Sequence, residues 1–138
     1  MAKKEEFTAV IQPGYTFSGT SLVLGGAMLD GEAIPGLQIK IPLRTMNRHG
    51  LIAGATGTGK TKSLQAIAEQ LSHNGVPCML MDIKGDLSGI AMPGSDNPKI
   101  TERAGKIGIS WHPNGHSVEF LTLSGEKGAR LRATVSEF

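Results

Sequence analysis

Leu51-Ile52-Ala53-Gly54-Ala55-Thr56-Gly57-Thr58-Gly59-Lys60-Thr61 is the stretch on which this chain turns, because Gly54 to Thr61 spells G-x-x-x-x-G-K-[ST]. Glycines in this pattern let the backbone take φ > 0 and bring successive N–H groups up to phosphate oxygens that a Cβ would hold away. The pattern predicts a nucleotide cradle made of Gly54, Ala55, Thr56, Gly57, Thr58, Gly59, Lys60, Thr61 and Lys62. Lys60 would reach the β and γ phosphates, and the Thr61 hydroxyl would hold Mg²⁺. The flanks agree. Leu51-Ile52-Ala53 is a short apolar run of the kind that makes a buried strand. Beyond the loop, Leu64, Ile67, Ala68 and Leu71 recur at helical spacing, Lys62, Gln65, Glu69 and Ser72 fall elsewhere, and His73-Asn74-Gly75 supplies a stop. Strand, glycine loop and helix in that order aim the helix's unpaired N–H groups and its positive end at the phosphates.

A chain of 138 residues with 39% apolar content and net charge +2 has the length of a single domain with one core. It is short for its motif: a RecA-like P-loop ATPase domain needs a parallel sheet and roughly 200 residues or more. The expectation is therefore a partial domain, with 129–138 stopping inside a structured stretch that has no cap, turn signal or polar tail. Cys78, the single cysteine, lies in the apolar run Val76 to Met81 and is expected to be a buried, inert thiol. Met1-Ala2-Lys3-Lys4-Glu5-Glu6 leads into no long apolar run, so neither a signal peptide nor a membrane span is predicted, and the expected location is the cytoplasm. A pI near 8.8, with basic residues scattered along the chain, is too mild to argue for nucleic acid by itself.

Along the chain, residues 1–45 form a lead-in. A short strand is expected at Phe7-Thr8-Ala9-Val10-Ile11, ended by Pro13-Gly14. A small antiparallel β unit follows from Ser21 to Leu43, with turns at Asp30-Gly31 and Pro35-Gly36 and alternating Leu37, Ile39, Ile41 and Leu43. Residues 46–138 would then be the first part of the P-loop ATPase domain. Arg48 and His49 fall at the sheet end away from the phosphate loop, which disfavours His49 as a base. Val76-Pro77-Cys78-Met79-Leu80-Met81-Asp82 reads as a second apolar strand, which would deliver Asp82 and Asp86 to the strand ends where the phosphate loop also lies. Two carboxylates there are candidates for metal, water or phosphate contacts. Asn97 is placed as an N-cap with Pro98 at the first helical position, opening a short helix through about Lys106 that ends near Gly108. Trp111 is expected to pack, and Val118 to Leu121 to form a further strand. Pro113 and Gly115 between His112 and His116 exclude a helical metal-binding pair.

Arg48 to Thr61 together with Asp82-Ile83-Lys84-Gly85-Asp86-Leu87 resembles the HerA/FtsK superfamily of ring-forming P-loop ATPases, and within it a bacterial HerA-like branch of YjgR type. The resemblance is strongest from about Pro42 to Gly89. It implies an α/β, RecA-like core with flanking helices, ATP with Mg²⁺, a homo-oligomer (a hexameric ring), and movement along or processing of DNA, with no membrane partner. It also implies that Asp82 and Asp86 belong to the D-x-x-G-[DE] motif of the second strand and not to a Walker B strand, whose Asp-Glu pair comes later in the family. Lys60, Asp82 and Asp86 are then the residues expected at the chemistry, with Asp82 a further Mg²⁺ contact through water. No arginine finger is assigned among Arg44, Arg48, Arg130 and Arg132. Asp82-Ile83-Lys84-Gly85 also spells the D-x-x-G of P-loop GTPases, but only one helix and one strand separate it from Lys60 and no Asn-Lys-x-Asp follows. A nucleotide-binding or assembly module without turnover is the remaining alternative.

Overall fold

The computed structural model describes residues 2–125 and 127–132. Its element order is helix α1 (Ala2–Gly14), strands β1 (Ser21–Leu29) and β2 (Glu32–Pro42), helices α2 (Lys60–His73) and α3 (Pro98–Ile107), and two short strands, β3 (Leu121–Thr122) and β4 (Ala129–Arg130). The described residues form a mixed α/β structure with one antiparallel and one parallel two-stranded sheet. No helix among the described residues is long and apolar enough to cross a membrane.

The antiparallel hairpin is the platform. Asp30 at φ 51 and Gly31 at φ 85 make its two-residue turn, the left-handed pair that matches strand twist. The pairing slips twice. Leu24 is extra between Val23↔Lys40 and Gly25↔Ile39, and the ladder jumps again between Gly26↔Gln38 and Met28↔Ala33. Pro35 and Gly36, expected to be a turn, sit inside β2 at that second irregularity, where a proline removes no ladder bond.

Ala27, Ile34 and Leu37 form the buried cluster, covered by Leu29, Ile39 and the Phe7 and Ile11 side chains. Residues Phe7 to Ile11 are thus helical and not the expected strand. Phe7 and Ile11 stand one helical turn apart, so both reach the hairpin from one face of α1, which a strand of alternating faces would not allow. Helix α3 docks its C-terminal end on the hairpin. Gly108 caps it at φ 77, a Cβ there would lie 3.3 Å from the Gly36 Cα, and the Gln38 side-chain amide donates to the Gly108 carbonyl at 2.8 Å. Its start follows the sequence: Asn97 Oδ1 accepts from the Lys99 N–H at 2.9 Å, and Pro98 occupies the first turn.

Three expected strands differ. Leu51-Ile52-Ala53 and Val76 to Asp82 are not strands, and the strand expected over Val118 to Leu121 is reduced to Leu121–Thr122, paired with β4. Leu51 is 89% exposed and Met81 85%, and Cys78, expected to be buried, is exposed too. An apolar run becomes a strand only when neighbours take up its N–H and C=O groups. Neither 51–53 nor 76–82 pairs with the hairpin that packs against α2.

Candidate functional site

The glycine loop folds on its own hydrogen bonds. The Ala55 carbonyl accepts from the Thr58 N–H at 3.4 Å, the Thr58 hydroxyl at 2.8 Å and the Lys60 ammonium at 2.7 Å. Gly57 at φ 81 and Gly59 at φ 93 hold the left-handed conformations that reverse the chain into the helix. Gly54 is required for another reason: a Cβ there would come within 2.6 Å of the Thr58 hydroxyl. Residues 54–59 are exposed, so the loop stands open to solvent.

Helix α2 starts at Lys60 with Gly59 as its N-cap, and no side chain caps it. Its first internal bond is Ser63 N–H to the Gly59 carbonyl at 2.9 Å. The N–H groups of Lys60, Thr61 and Lys62 precede that bond and belong to the unsatisfied first turn, which attracts an anion. The Thr61 side chain is exposed beside them. Lys62 turns the other way, its ammonium donating to Gln65 Oε1 at 2.8 Å. Among the described residues no group of three or more His, Cys, Asp and Glu is placed to hold a metal ion. A divalent ion here would therefore rely on the Thr61 hydroxyl, phosphate oxygens and water, the usual habit of Mg²⁺.

The 82–87 loop lies along α2. Gln65, expected on the polar side, is 8% exposed, and its Nε2 donates to the Asp86 carbonyl at 2.8 Å. That contact sets the loop beside the second turn of α2, roughly 7 Å along the helix axis from Lys60. The Asp82 carboxylate is engaged by its own loop. One oxygen accepts from the Lys84 N–H at 3.1 Å and the Gly85 N–H at 2.9 Å, the other from the Leu87 N–H at 2.8 Å. The Asp86 and Lys84 side chains are exposed, and Leu87 is buried, so the loop is pinned at its end. Gln65 left no trace in local pattern, since a glutamine on a helix reads as solvated until its partner is known.

The Leu87 amide is the main force holding the Asp82 carboxyl below its ordinary value of 3.8; desolvation opposes it, and the amides of Lys84, Gly85 and Asp86 reinforce it. Because the folded value is depressed, this hold is complete above 3.8 and is lost as pH falls through the lower, folded value. The backbone amide resonances of Lys84, Gly85 and Leu87 should stay fixed from neutral pH to about pH 5 and then shift together with a midpoint below 3.8. Asp82→Asn should abolish that transition. A shared midpoint at or above 3.8 would mean that these amides do not stabilise the ionised form.

The remaining expectations fall away from the loop. Arg48 and His49 are exposed, after the helical turn Leu43–Thr45. His116 packs edge-on against His73 at 5.0 Å between ring centres, and its backbone N–H donates to the Ile90 carbonyl at 3.1 Å. Trp111 is half-buried beside Gly94, as expected of a packing residue.

The sequence model of the family described as helicase HerA-like C-terminal matches residues 28–138, a span that takes in the glycine loop, α2 and the 82–87 loop. Neither the curated proteins nor the solved structures contain a match.

Proposed function

The chain belongs to the HerA-like helicase C-terminal family, and from that premise we propose that it binds ATP with Mg²⁺ through Gly54 to Lys62 as part of a ring-forming ATPase that works on nucleic acid. The observation that carries the proposal is a G-x-x-x-x-G-K-T loop, with left-handed Gly57 and Gly59, running into the uncapped start of α2. The proposal extends to a RecA-like core for residues 46–138, preceded by the 1–45 lead-in, to membership of the YjgR-type branch, to a hexameric homo-oligomer, and to a cytoplasmic motor whose track is DNA. The chain would then be the first part of that motor's ATPase domain.

In this reading the N–H groups of 57–62 bind and orient the phosphates. Lys60 exchanges its bond to the Ala55 carbonyl for phosphate oxygens, and the Thr61 hydroxyl is the protein's ligand to Mg²⁺. Bound Mg²⁺ would neutralise phosphate charge. Asp86, with an exposed carboxylate, is the residue of the 82–86 motif available to orient water, while Asp82 holds the loop together and reaches Mg²⁺ only through water.

A second reading, binding without turnover, is favoured by one observation: Asp82 spends its carboxylate on three backbone amides. Calorimetry with Mg·ATP and Mg·GTP, followed by phosphate release, separates the cases. ATP binding supports the nucleotide reading, steady turnover abolished by Lys60→Ala would refute the second reading, and a preference for GTP would refute both. Thr61→Ala should weaken nucleotide binding in Mg²⁺ by roughly tenfold while leaving metal-free binding nearly unchanged. Equal losses under the two conditions would remove Thr61 as the metal ligand.

A further inference from the structure

We propose that Gln65 is a positioning residue that couples nucleotide in the 54–62 loop to the order of the 82–87 loop through the path Lys62–Gln65–Asp86. The inference rests on the nucleotide reading above and extends it to a residue that contacts neither phosphate nor metal.

Three observations carry it. Gln65 is a polar side chain more than nine-tenths buried, on a helix whose other polar residues face solvent or the hairpin edge. Both ends of its amide are used, Oε1 by the Lys62 ammonium and Nε2 by the Asp86 carbonyl, each at 2.8 Å. The amide's orientation follows from chemistry, because an ammonium only donates and a carbonyl only accepts, so a flipped amide would face both partners wrongly. The 82–87 loop, in turn, is a unit: Asp82 gathers the amides of Lys84, Gly85 and Leu87, and the Asp86 carbonyl is its hydrogen bond to α2. A shift of the Lys62 backbone, in the first turn of α2 where phosphate would sit, therefore reaches the backbone of Asp86 through the Lys62 ammonium and the Gln65 amide.

The test is amide hydrogen exchange of residues 84–87 in the folded chain, with and without Mg·ATP, in wild type, Gln65→Glu and Gln65→Met. Glutamate keeps the acceptor for Lys62 but turns an oxygen toward the Asp86 carbonyl, while methionine keeps the buried length and removes both bonds. In wild type, Mg·ATP should slow exchange at 84–87 by about fivefold or more, the low end of ordinary coupling between sites. Both variants should bind Mg·ATP within about threefold of wild type, a small change on the affinity scale, and lose that protection. Retained protection in either folded variant overturns the proposal, as does a wild-type loop that binds nucleotide without responding. If both variants unfold, Gln65 is a fold-holding residue and the proposal also fails. A wild type that binds no Mg·ATP refutes the nucleotide reading itself, a result distinct from these.

Discussion

Lys60→Ala should weaken Mg·ATP binding by roughly 10- to 150-fold, the value of about 1.5 to 3 kcal/mol of charge-assisted hydrogen bonding to phosphate, while leaving the fold untouched. The expectation of an intact fold comes from the loop's own bonds. Lys60 is one of three donors on the Ala55 carbonyl, and the Thr58 N–H and hydroxyl remain when it is removed. A half-exposed lysine at a helix start contributes little to packing, so thermal stability should change by no more than about 0.5 kcal/mol. Calorimetry with ATP and a thermal melt on one preparation check both halves. Unchanged affinity would remove Lys60 from the phosphate site, and lost stability would show that its bond to Ala55 shapes the loop.

The largest stability effect is expected at Leu22, which is 0% exposed and the one large side chain fully buried among the described residues. Leu22→Ala removes its burial and leaves a cavity, together worth about 2–5 kcal/mol. At the usual unfolding entropy per residue, that lowers Tm by roughly 7 to 17 °C in a chain of this length. Leu51→Ala is the matched control. The same deletion at an exposed position should cost within about 0.5 kcal/mol, although sequence pattern places Leu51 in a buried strand. Equal losses at the two positions would mean that 51–53 is packed in solution.

That contrast shows where sequence was sufficient. The glycine loop, α2 from Lys60 to His73, the Asn97–Pro98 start of α3 and the Asp30-Gly31 hairpin are local objects, written in left-handed glycines, caps and helical spacing, and each stands where its residues put it. The runs 51–53 and 76–82 are not local objects. Their apolar residues call for burial but name no partner, and a strand is defined by its partner. Helix α1 is legible in spacing and not in residue type: Thr8, Val10 and Ile11 favour a strand, while the four-residue spacing of Phe7 and Ile11 carries the helical answer. At the candidate site, Lys60 and Thr61 follow from the motif, whereas Gln65 and the backbone engagement of Asp82 depend on hydrogen bonds that residue type alone does not encode.

Gln70 has a further consequence. Its amide accepts from the Val23 N–H at 2.6 Å and donates to the Val23 carbonyl at 2.9 Å, standing in for a neighbouring strand at the outer edge of β1, beside the bulge. Helix α2 is therefore pinned to the hairpin near its far end and bears the glycine loop at the other, like a boom on a pin. From Gln70 to Lys60 the arm is roughly 15 Å long, so a tilt of about five degrees at the pin sweeps the loop through roughly 1.3 Å. A displacement of the glycine loop would load the Gln70 bonds to Val23 together with the Gln65 bond to Asp86.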